Sequence, residues 1–115
     1  MKTFVNIAAQ GDLLIRKVPT IPTEYTLADP VNNQHIVAHS ETSHHHVVEA
    51  DDEVEYYTSA DNNMSAYLVV KGVIGKALKH LRDFDTHAPI LIPPGIYELR
   101  RQREYVPEGW RRVED

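Results

Sequence analysis

Three consecutive histidines, His44, His45 and His46, stand within the stretch Ser40-Glu41-Thr42-Ser43-His44-His45-His46-Val47-Val48-Glu49. Imidazole beside carboxylate is a donor set for a proton, a divalent metal or a phosphate, and the imidazole titrates near pH ~6.5. The β-branched Val47 and Val48 continue the triplet as a strand. Alternate side chains of a strand share one face at roughly 6.5–7 Å spacing, so His44 and His46 converge while His45 turns away. His87, at the start of a later apolar run, is the best third ligand, and Glu49 is the nearest downstream carboxylate. Three neutral imidazoles, or two and a carboxylate, leave a position open for water or substrate. Zinc, iron(II), manganese and nickel all suit such donors. The chain has no cysteine, which excludes disulfides, thiolate metal sites and thiol nucleophiles. Without a metal, His44 and His46 could serve as acid and base beside the hydroxyls of Thr42 and Ser43. Neither an orienting acid nor an oxyanion site can be located for a nucleophile. The competing reading is a solvated histidine loop that hydrogen-bonds Glu41 and Glu49.

A second constellation lies near the C-terminal end. Tyr97, Arg101, Arg103 and Tyr105 share one strand parity, with Arg100 opposite. Guanidinium forks and aromatic faces suit a phosphate, carboxylate or nucleotide ligand. The alternative is a strand whose arginines pair with local glutamates while its tyrosines pack.

Short strands punctuated by turns must position these residues. Gly11–Val18 opens at the Gly11-Asp12 turn and ends at Pro19 and Pro22. Asp29-Pro30 and Asn32-Asn33 are turn signals. Strands are expected over Ile36–His39, His46–Glu49 and Glu53–Thr58, and Asp61-Asn62-Asn63 turns the last of these into a strand over Ala66–Lys71. Gly72–Arg82 fits a helical face through Val73, Ala77, Leu78 and Leu81, but Gly72, Gly75 and the flanking strands favour extended chain. His87–Ile92 reads as a short buried strand. Pro93-Pro94-Gly95 then forces a turn, since proline fixes φ and glycine permits positive φ. Ile96–Tyr105 is a longer strand ended by Pro107-Glu108-Gly109, and Trp110 is expected to cover one end of the core. The pattern is that of an all-β, single-domain barrel or sandwich spanning residues 1–115, with few or no helices.

Composition bounds the function classes. At 115 residues the chain is expected to bury roughly two-thirds of its unfolded surface, enough for one core. The formal net charge of −5 argues against nucleic-acid binding driven by phosphate neutralisation. The absence of a long apolar run argues against a membrane span, and the N-terminus is too short and polar for a secretory signal, so cytoplasmic is the expected location. Sheet edges in a small barrel invite homo-oligomerisation.

Two features together resemble the cupin small barrels, in which a His-x-His element and a Pro-x-Gly turn lie on facing strands. Here His44-x-His46 matches the first and Ile92-Pro93-Pro94-Gly95-Ile96-Tyr97 the second. The resemblance implies a divalent metal held by His44 and His46. Glu49 stands one residue closer than the family's acidic ligand, and Tyr97 lies near the place of the histidine that follows the turn. The chain also resembles small uncharacterised bacterial and phage proteins with a Gly-Asp-hydrophobic start, a Thr-Gly-His-x-His loop and a His-Ala-Pro-hydrophobic-x-Pro-Pro-Gly tail. The matches are Gly11-Asp12, Thr42-Ser43-His44-His45-His46 and His87-Ala88-Pro89-Ile90-Leu91-Ile92-Pro93-Pro94-Gly95. That likeness implies a shared fold and carries no activity. The expectation is a cupin-like β-barrel that binds a divalent metal. The alternative is a non-enzymatic phage or bacterial accessory protein that binds a host protein or a small anionic or nucleotide ligand.

Overall fold

The structure is a computed structural model that describes residues 1–38, 45–80 and 89–101. All its regular elements there are strands: β1 (Lys2–Thr3), β2 (Ile7–Gln10), β3 (Leu13–Lys17), β4 (Thr26–Leu27), β5 (Gln34–Ala38), β6 (His46–Glu49), β7 (Val54–Ser59), β8 (Asn62–Val70), β9 (Lys76–His80), β10 (Ile90–Ile92) and β11 (Gly95–Arg101). They form two sheets, ordered β1-β10-β9-β6-β5 and β2-β3-β11-β8-β7-β4. The all-β class expected from the sequence is observed, as a sandwich of two sheets. The region whose periodicity also fitted a helix carries β9, paired with β6 and β10. Among the described residues no helix is long and apolar enough to cross a membrane.

Alternation explains the layering. In β3, Leu13 and Ile15 point into the core, and so do Leu68 and Val70 of β8 and Tyr97 and Leu99 of β11. Val37, Val48, Leu78, Ile90 and Ile92 meet them from the other sheet. Leu14, of the opposite parity, joins a second small cluster with Ala9 and Ile7 on the outer side.

The turns follow their residue chemistry. Asn32 and Asn33 take φ of 53° and 63°, and Val31 bridges Gln34, a tight turn with positive φ at both central residues. Pro93-Pro94 carries the chain from β10 in one sheet to β11 in the other. Gly95, at φ 153°, completes that passage where an added Cβ would press on Tyr97 Oη at 3.2 Å. Tyr97 Oη donates to Pro93 O at 2.6 Å, and its ring meets Phe4 edge-on at 5.7 Å. Register shifts interrupt β5 between Ile36 and Ala38 and β7 between Tyr57 and Ser59.

Candidate functional site

The best-defined polar constellation in the interior is built on Gln10 and His46. Strand parity sends Gln10 inward beside Ala8 on β2, and His46 inward beside Val48 on β6. Both are buried, at 0% and 1% exposure. Gln10 Nε2 donates to the Leu78 carbonyl at 3.0 Å, and Gln10 Oε1 lies 2.8 Å from His46 Nδ1. A carbonyl only accepts, so the Leu78 bond decides which end of the amide faces His46. Gln10 presents its oxygen there, so His46 donates from Nδ1–H. In the neutral ring Nε2 is then the nitrogen that carries the lone pair.

That nitrogen lies 3.6 Å from Asp12 Oδ1. The distance is too long for a hydrogen bond, and charge attraction across it arises when the ring is protonated at Nε2 as well. Asp12 follows Gly11, whose φ of 59° makes the β2–β3 turn. Its side chain is 59% exposed. In its protonated form the His46 ring holds the Asp12 carboxyl below its ordinary value, against an upward push from partial burial, and the Arg101 charge adds a smaller lowering. A fixed imidazole nitrogen facing an ionised carboxylate can exchange a proton with a ligand or share a cation with it. Two donors on one tetrahedral zinc, each at about 2.0–2.1 Å, are separated by roughly 3.4 Å. The observed gap is close to that value.

The expected metal set is divided. His44 and His87 lie outside the described residues. Glu49, three positions after His46 on β6, projects from the opposite face of the strand, exposed, with its Oε1 3.8 Å from Lys79 Nζ. The carboxylate that does approach His46 belongs to Asp12, which the sequence presented only as a turn residue. Gln10 carried no sequence signal beyond its alternation with Ala8 immediately before Gly11-Asp12. The β6–β9 register also sets His80 opposite His46. Among the described residues, no three of His, Asp and Glu are grouped to hold a metal ion.

The expected ligand set on β11 is divided too. Tyr97 is fully buried in the core and its hydroxyl donates to Pro93 O across the Pro-Pro-Gly turn. Arg103 and Tyr105 lie outside the described residues. Arg101 keeps the parity of Tyr97 and Leu99 and lines a cavity of about 290 Å³ with Leu99, Tyr56, Thr58, Ser59, Asn62 and Ser65. The register shifts in β5 and β7 fall beside Ile36, Val37, Thr58 and Ser59 in the same wall. Such bulges re-aim side chains at the rims of barrels and sandwiches. Hydroxyls, an amide and one guanidinium surround an apolar floor there.

The model of the family described as Domain of unknown function (DUF8820) matches residues 9–102, and the chain belongs to that family. No curated protein and no solved structure matches the chain.

Proposed function

For this member of a family without an assigned activity, we propose a ligand-binding β-sandwich that holds a divalent metal ion at its His46–Asp12 edge. The supporting observation is the fixed amide of Gln10. A metal-binding histidine commonly donates its second ring nitrogen to a neighbouring acceptor, which sets the tautomer and raises ligand basicity. Gln10 does this for His46 and turns Nε2 toward Asp12. His44 and His87 are the imidazoles proposed to complete the donor set, and zinc, manganese, iron(II) and nickel suit it. The ion would supply Lewis acidity, and the chain's own part is to hold Nε2 and the carboxylate in place.

Metal content after dialysis against zinc or manganese, with isothermal titration, tests the reading. Binding near one ion per chain is expected in the wild type. Asp12→Asn, on an exposed side chain that tolerates change, should weaken it by about tenfold or more. Equal metal uptake by the wild type, Asp12→Asn and a His44→Ala/His87→Ala double variant overturns it.

Arg101 supports a second reading, a small anionic ligand in the cavity it lines. Titration with inorganic phosphate and with acetate should show binding that Arg101→Ala abolishes. Binding unchanged in that variant, or absent from the wild type, removes this reading.

A further inference from the structure

A second cavity, of about 320 Å³, opens between the edge strands of the two sheets, β4 and β5. Its wall includes Leu27, Val54 and Tyr56 as apolar surface, His35 in the interior and Asp29 at the rim. The volume falls at the lower end of the roughly 300–1,000 Å³ occupied by small-molecule sites.

His35 is the unexplained group. It sits on the inward parity of β5, opposite Val48 of β6, and is 5% exposed. Its ring tilts against Tyr56 with centroids 5.5 Å apart, and its Nδ1 is buried without a hydrogen-bond partner among the described residues. Burying a polar nitrogen unpaired costs about 1–3 kcal/mol, and nothing in the packing of the described residues accounts for a histidine where phenylalanine would serve. Burial pushes the imidazole below its ordinary 6.5, so at neutral pH the ring is uncharged, with one donor and one acceptor nitrogen.

Charge decides the class of occupant. Three carboxylates, Asp29, Asp51 and Glu55, border the cavity, and no lysine or arginine is among its described wall residues. Two of the three are already neutralised: Lys76 pairs with Asp51, and Lys71 with Glu55 at 2.9 Å. Asp29, exposed on the loop before the Asn32-Asn33 turn, has no ion-pair partner among the described residues. An anion would meet uncompensated negative charge, while a bare metal ion would meet a largely apolar wall. A protonated amine carried on an apolar body meets Asp29 with its charge and Leu27, Val54 and Tyr56 with its carbon. From this arrangement we propose that the cavity beside His35 binds a small apolar primary amine, its ammonium on Asp29 and its body against Tyr56. The site is separate from Asp12 and His46 and does not depend on metal there.

Benzylamine, benzyl alcohol and benzoate are near-isosteric and differ in charge, so they separate the classes. Thermal shift and isothermal titration near pH 7.5 should show benzylamine stabilising the wild type at millimolar concentration. Benzyl alcohol should bind about tenfold more weakly or worse, and benzoate not at all. Asp29→Asn should weaken benzylamine to the level of the alcohol while leaving the unliganded melting temperature unchanged. His35→Phe should weaken both amine and alcohol. No response to benzylamine, an equal response to all three compounds, or an unchanged response in Asp29→Asn each overturns the proposal. Should His35→Phe fold poorly, the Asp29→Asn comparison still decides.

Discussion

His46 and His35 lie on the inward parity of neighbouring strands and are both more than nine-tenths buried. Their surroundings differ in one respect. His46 stands in a chain of hydrogen bonds from the Leu78 carbonyl through Gln10, whereas His35 Nδ1 meets no acceptor or donor among the described residues. Burial is therefore shared, and polar pairing separates the two. A paired interior imidazole contributes to the fold and has its proton assigned. An unpaired one costs stability.

The largest effect expected from this contrast comes from breaking the Gln10 chain. Gln10→Leu removes the buried amide that bonds both His46 Nδ1–H and the Leu78 carbonyl. It should cost about 2–3 kcal/mol, read as a lowered urea midpoint at unchanged slope. A cost no larger than a few tenths of a kcal/mol would erase the distinction between the two histidines.

The smaller effect sharpens it. His35→Phe keeps the aromatic contact with Tyr56 and removes the unpaired nitrogen, so at pH 7.5 it should be more stable than the wild type by about 1 kcal/mol. The pH dependence has a definite sign. The folded-state value of His35 is depressed below 6.5, so the unfolded chain binds the proton more readily. Above pH 6.5 the wild type keeps the full contribution of the neutral ring, and it loses that contribution as pH falls from 6.5 through the depressed folded value. The advantage of His35→Phe over wild type should therefore grow between pH 7.5 and 5 in urea titrations at each pH. An advantage that stays flat or shrinks would mean His35 gains a partner on protonation. Asp12 enters lower on the pH axis: its carboxyl is depressed below 3.8, so its contribution is lost only under more acidic conditions.

The strands were legible in the sequence where branched or aromatic residues alternate between turn formers. Val54–Ser59, His46–Glu49 and Ile90–Ile92 are such cases, and Asn32-Asn33 announced its turn. Strand β2 was not legible, because Ala8 and Ala9 carry little β-propensity and owe their place to pairing with Leu14 and Ile15. The same gap hid the polar chain. Gln10 acquires its role only when β2 is laid against β3 and its side chain reaches β9 in the other sheet, a relation 68 residues apart. Asp12 read as a turn for a sound reason, since it is one, and its approach to His46 depends on which sheets face each other. His35 stood in the sequence as one histidine among seven, and its burial against Tyr56 is a tertiary fact. Arg101 was legible through parity, which continues from Tyr97 and Leu99 to the mouth of a cavity.

Strand β1 closes its sheet by running parallel to β10, with Lys2 beside Ile90, Thr3 beside Leu91 and Thr3 Oγ1 donating to the Leu91 carbonyl at 2.9 Å. During synthesis β1 must wait for β10. Until residue 91 has left the ribosome, β1 has no sheet to join, and the polypeptide searches across a separation of 88 residues to find it. Non-local pairing of that kind slows folding because the entropy of closure is lost before the contact returns anything. This places the docking of β1 late in assembly and makes the β10 edge the last part of the sheet to be protected from other chains.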